Sequence, residues 1–164
     1  MSEQALASPA RLRRGLHRLW RMPGTHRRLL LQALVAVPAV RILLRAAGLR
    51  RVHALLSRWA APFSARRADP RWSTPQGVQV AVALVDMAAR WSPVSNTCLH
   101  RSLALWWLLR RRGVDCQLRL GARRNDAQFD AHAWIEYDGR IVNDDTRRIR
   151  DYVPLAWHPA DRLP

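Results

Sequence analysis

The sequence predicts an α+β fold, with helices first and then an antiparallel sheet packed on a central helix, and three patterns predict it. From Arg11 to Ala61, arginines are set among Leu, Val and Ala at three- and four-residue spacing, the period of a helix. Leu103 to Leu109 is apolar on every side, which marks a helix enclosed by the domain rather than lying on its surface. From Cys116 onward the period changes to two: Cys116, Leu118 and Leu120 alternate with polar residues, and so do Phe129, Ala131, Ala133, Ile135 and Tyr137.

Taken in chain order, residues 1–10 lack a period and are expected to be disordered. Within the basic region 11–67, Pro23-Gly24 and Gly48 divide the helical pattern into short helices. Pro62 to Pro70 reads as a linker into a second unit, residues 68–164. Thr74 is a good N-cap with Pro75 at the first helical position, so a helix should run to about Trp91, where Ser92-Pro93 stops it. Ser95, Asn96 and Thr97 are capping candidates for the next helix, which begins near Cys98 and ends at Gly113 after Arg110, Arg111 and Arg112 in its last turn. Asp138-Gly139 is a hairpin turn signal leading into Ile141 and Val142.

Composition bounds the function. The chain has 164 residues, is 49% hydrophobic and contains eight Trp, enough apolar surface to offset the entropy of ordering one compact domain. Its net charge of +16 belongs almost wholly to residues 1–67, where fourteen Arg face the single acid Glu3. Such a front half attracts nucleic acid, anionic lipid or an acidic peptide through long-range electrostatics. There is no Lys, so the Arg count reflects a codon bias as much as a design. Cys98 and Cys116 are too few for a disulfide framework, and a reducing, cytoplasmic compartment is the simpler expectation. The apolar run Leu29 to Val40 holds Gln32 and Pro38 and ends at Arg41; it falls short of the roughly 20 apolar residues a membrane span needs, so no stable membrane insertion is expected.

Cys98 is the candidate nucleophile. At a helix start, unpaired backbone amides and the positive end of the macrodipole favour an anion, although a Cys is more often a small buried hydrophobe. His132, between Ala131 and Ala133, shares a strand face with Trp134 and Glu136, and its two small neighbours leave room for a base that meets both a thiol and a substrate. Asn143, Asp144 and Asp145 occupy the returning strand and can supply the group that fixes the imidazole tautomer. A strict two-residue turn at Asp138-Gly139 sets Asp145 opposite His132, whereas a bulged three-residue loop brings Asp144 to that face. His100 points away from Cys98 on its helix, and Cys116 belongs to an apolar strand face. No pair of cysteines or histidines has the spacing of a metal site, so neither metal nor cofactor is expected.

Cys98-Leu99-His100-Arg101-Ser102-Leu103-Ala104-Leu105, Leu108-Leu109-Arg110-Arg111-Arg112-Gly113, and Ala131-His132-Ala133-Trp134-Ile135-Glu136 with Asp138-Gly139 resemble one known family. It is the protease component of lasso peptide biosynthesis, the B protein, in the transglutaminase-like superfamily. The resemblance spans about residues 75–145. It implies a papain-like or transglutaminase-like core over residues 68–164 and a Cys-His-Asp triad of Cys98, His132 and Asp144, with Asp145 as the rival acid. It implies a cysteine peptidase that removes the leader from a precursor peptide, together with a leader-binding partner protein and an ATP-using lasso cyclase. The Cys98 amide is one natural donor to the oxyanion, and Asn96, Trp91 or Trp134 are candidates for support.

Two other classes fit the same residues. The thioester could pass to an amine, making an acyltransferase or amidase. Alternatively the arginine-rich helices of residues 11–67 could bind nucleic acid, against which stands the absence of a reading helix or an aromatic stacking platform; no nucleic-acid partner is therefore expected. Docking of the basic segment on an anionic membrane or an acidic protein is the remaining possibility.

Overall fold

The computed structural model describes residues 22–64, 68–92, 96–125 and 128–155. The disorder expected for residues 1–10, the start of the basic region and the capping candidate Ser95 lie outside them. Helix α1, Gly24–Ser64, is two helices meeting at Gly48, whose φ of 72° and ψ of 165° suit a residue without a Cβ. The division expected there is thus a sharp bend, and Val40 and Leu43 before it line one groove with Leu56 and Trp59 after it. Of the linker expected from Pro62 to Pro70, residues 62–64 belong to α1, which continues to Ser64.

Helix α2, Pro75–Trp91, starts as expected: the Thr74 hydroxyl oxygen accepts the Gly77 N–H at 3.1 Å. Gly77, Val78, Ala81, Leu84, Val85 and Ala88 recur at three- and four-residue spacing and form its buried face. Helix α3, Cys98–Arg110, is buried from Ser102 to Trp106 and again at Leu108 and Leu109, as its all-round apolar sequence requires. The chain leaves it through Gly113, with Val114 N–H bonded to the Leu109 carbonyl.

Strands β1 (Gln117–Asn125) and β2 (Gln128–Tyr137) form a long antiparallel pair, flanked by β3 (Arg140–Ile141) on β2 and β4 (Val153–Pro154) on β1. A one-turn helix α4, Thr146–Ile149, lies between β3 and β4. The sheet order is β3-β2-β1-β4, all antiparallel. One face joins the main core, where Leu118, Ala133 and Ile135 meet Leu29, Val37 and Leu56 of α1, Val85 of α2, and Leu103 and Leu109 of α3. The other face holds a smaller cluster of Trp134, Ile149 and Tyr152.

By length and composition alone, Gly24–Phe63 is also long and apolar enough to cross a membrane, which the run Leu29 to Val40 by itself is not. In this fold Leu29, Leu30, Ala33, Val37 and Val40 are spent on the core.

Candidate active site

The site is built along the edge of β2 that β3 leaves open. β3 ends at Ile141, so only Glu136 and Tyr137 of β2 have strand partners on that side. The next backbone groups still need partners, since buried amides and carbonyls are rarely left unpaired. Ile135 O accepts from Val142 N–H at 3.0 Å. Ile135 N–H then donates to Asn143 Oδ1 at 2.7 Å, and Ala133 O accepts the Ser102 hydroxyl at 2.9 Å. Asn143 Nδ2 donates in turn to Ser102 Oγ at 2.8 Å, so the amide and the hydroxyl extend the ladder with side chains.

This relay fixes where α3 lies. Ser102 is one helical turn after Cys98 on the same face of α3, so Cys98 sits about 6 Å further toward the helix start. The other end of α3 leads through Val114 into β1, whose first residue Gln117 pairs with Glu136. The helix therefore runs the same way as β2, and its tip points toward the Ala131 and His132 end of the strand. On that face Ala131 and Phe129 are exposed while Ala133 and Ile135 are buried, so the sheet continues past the helix tip as an open floor. Cys98 is a free, half-buried thiol at the edge of the main core.

The helix tip is itself capped. Thr97 N–H donates to Nδ1 of His100 at 3.0 Å, the role a Glu fills in the usual capping box. Burial and the nearby Arg41 and Arg45 guanidinia hold the His100 imidazole below its ordinary pKa, keeping Nδ1 an acceptor. His100 thus points away from Cys98 and serves as a cap.

His132 is 7% exposed, and its Nε2 meets Asp144 Oδ2 at 2.5 Å. With Nε2–H donating to the carboxylate, Nδ1 is left as the ring nitrogen able to accept a proton. The other oxygen, Asp144 Oδ1, accepts Asp145 N–H at 2.8 Å. Asp145 does something else: its side chain accepts Arg147 N–H at 2.9 Å and caps α4. The Asp138-Gly139 turn is the strict two-residue kind, with φ of 50° and 69°, and Tyr137 faces Arg140. That register alone would have selected Asp145. It does not, because the chain leaves the strand after Ile141 and Asp144 reaches the ring from the bend.

The remaining support is aromatic. The Trp134 indole lies 6.4 Å from the His132 ring and the Tyr152 ring 5.2 Å from it. Trp134 Nε1–H donates to Glu136 Oε1 at 3.1 Å, so Trp134 supports by packing. Gly121, paired with His132, makes the space: a Cβ there would fall 2.8 Å from the Trp134 ring. Tyr152 donates to Asp130 Oδ2 at 2.6 Å, and Arg123 Nε holds the same oxygen at 3.1 Å. The Tyr152 hydrogen bond and then Arg123 depress the Asp130 pKa, and the same bond raises that of Tyr152.

Asn96 donates to Ala89 O at 3.1 Å, fastening the approach to α3 onto the end of α2, and Trp91 is 47% exposed there. Cys116 is in the core, its thiol pushed up to about 12 by burial. The sequence reading missed Ser102, Gly121 and Tyr152. Ser102 could have been found as the small polar residue one turn from Cys98 at the head of the apolar run Leu103 to Leu109.

An enclosed helix with a cysteine at its tip, laid along an antiparallel sheet that carries a histidine–carboxylate pair, is a fold of cysteine-protease and acyl-transfer domains. The chain belongs to the transglutaminase-like superfamily, whose family model matches residues 34–156 and so takes in most of α1, α2, α3 and every strand. No curated protein and no solved structure matches the chain.

Proposed function

We propose that the chain is a cysteine peptidase that removes the leader from a lasso peptide precursor, with Cys98 as nucleophile, His132 as base and Asp144 as the group orienting the imidazole. One observation supports it above the rest. His132, its ring held by Asp144 from the bend after β3, stands on the strand whose edge is bonded to Ser102, one turn from Cys98; the ring packs with Trp134 and Tyr152 and makes no hydrogen bond to the thiol in this structure. In this reading Nδ1 takes the thiol proton as sulfur attacks the carbonyl of the last leader residue. The Cys98 N–H, without an intrahelical acceptor in the first turn, faces the developing oxyanion. Nδ1 returns the proton to the departing amine as the C–N bond breaks. Water, deprotonated by the same nitrogen, then releases the leader acid and restores the thiol.

Partners on this reading are the precursor, a leader-binding protein and the cyclase that closes the ring, all in the cytoplasm, where both thiols stay reduced. The test is cleavage of a precursor peptide, with its leader-binding partner supplied, by the native chain and by Cys98→Ala. A free leader and a free core peptide are expected only from the native chain. Cleavage by Cys98→Ala would sink the reading. The superfamily match equally covers transfer of the acyl group to an amine, which product mass separates from hydrolysis.

A further inference from the structure

Two depressions share a boundary, and the charged one lies at the far end of α3 from Cys98. The first, about 500 Å³, lies between the two halves of α1 and is walled by Leu31, Val35, Ala39, Leu43, Trp59 and Trp107. Leu31, Val35 and Trp59 are each more than half exposed there, although large side chains of this kind are normally buried. The second, about 310 Å³, is charged: Arg28, Arg71, Arg111 and Arg112 line it with one carboxylate, Asp69, and the aromatic walls Trp72 and Phe63. Arg28, Gln32 and Arg111 border both, so they form one groove with an apolar half and a cationic half.

The cationic half is preorganised. Arg112 donates to Gln32 Oε1 and to Leu108 O, each at 2.7 Å, and lies over the Trp72 ring. Arg111 stacks on Phe63 and Trp107, 4.9 Å from each ring. Asp69 is engaged by Arg71. Burial, with Arg111 and Arg28 adding repulsion, lowers the Arg112 pKa to about 10. Guanidinia so fixed repel one another and present forks that match carboxylates.

We propose that this groove docks an acidic, amphipathic segment of a partner protein, its aliphatic side chains in the α1 half and two or more carboxylates at Arg28 and Arg111. Charge complementarity selects the occupant. A bilayer is a poorer match, because Arg28, Arg71, Arg111 and Arg112 surround a walled pocket at one end of the groove, with Arg112 partly buried, rather than fringing an open apolar surface. Nucleic acid has no use for the aliphatic half. The stripe from Leu31 to Leu43 is about 18 Å long, a little over three turns of a partner helix. The carboxylate end of the docked segment would lie about 20 Å from the thiol, the length of α3, and its binding does not depend on the chemistry at Cys98.

The probe is a fluorescein-labelled helical peptide of about sixteen residues, leucines along one face and glutamates clustered at one end, titrated by anisotropy with the full chain. Saturable binding is expected, equally strong for Cys98→Ala, so the docking result is independent of the peptidase test. Arg28→Glu combined with Arg111→Glu should weaken it at least about tenfold and create binding to the same peptide with Lys in place of Glu, a gain that misfolding cannot produce. Val35→Glu, at an exposed position, should weaken both with an unchanged circular dichroism spectrum. Three results overturn the proposal: no saturation by about 1 mM peptide, indifference to these substitutions, or tighter, equally substitution-sensitive binding of phosphatidylglycerol vesicles or a single-stranded oligonucleotide.

Discussion

Asp144 and Asp145 are adjacent acids with separate duties, and substitution should divide them cleanly. Asp144→Asn keeps the size of the group that meets Nε2 but removes its charge and its hold on the tautomer. A fall in kcat of about a hundredfold or more is expected on the precursor, with little change in unfolding midpoint. Asp145→Ala should do the reverse, costing about 1 kcal/mol through loss of the α4 cap and leaving kcat near the native value. Equal losses of activity from both would contradict the assignment. Ser102→Ala strips the relay of its centre, stranding Asn143 Nδ2 and the Ala133 carbonyl. A loss of about 1 to 3 kcal/mol by urea unfolding is the expected outcome.

At the scale of elements, the hairpin from β2 to β3 shows what the sequence could and could not say. The Asp138-Gly139 turn, the period-two strands and the Thr74 cap were all legible, because each depends on local chemistry within a few residues. The position of Asp144 was not. It depends on where β3 ends, which is decided by Asn143 taking the place of a strand partner for Ile135 and by Gln79 of α2 donating to Val142 O at 3.2 Å, a contact from a distant part of the chain. The small role of Gly121 was hidden for the same reason, since the Trp134 ring that crosses it comes from the neighbouring strand. Gly121→Ala should therefore cost about 1 to 3 kcal/mol through overpacking. It should also lower kcat, because the displaced ring is the one beside His132; an unchanged rate at reduced stability would separate Trp134 from the site.

Across the whole molecule, α1 is tied to the active-site helix through a buried histidine. His53 of α1 stacks on Trp106 of α3 with ring centres 4.4 Å apart, and burial lowers its pKa from 6.5 to about 4. The unfolded chain then takes up a proton at this residue that the folded chain refuses. Stability from this source is complete above pH 6.5 and declines as pH falls toward about 4, by about 3 kcal/mol in all. His53→Phe, which keeps the stack, should flatten the urea midpoint across that window. A variant as acid-sensitive as the native chain would show that other groups govern it. The helices-first, sheet-second order was readable from periodicity; the packing of α1 into the same core as α2 and α3 was not, because periodicity gives a buried face without naming what it is buried against.

The deep placement of Cys116 has a practical corollary. The folded molecule carries two thiols but offers only the one at the α3 tip to a reagent at neutral pH. Alkylation of the native protein should add a single adduct by mass, and urea should bring in the second. The slow arrival of that second adduct under native conditions is a stopwatch on how often the interior breathes, with no need for an introduced label.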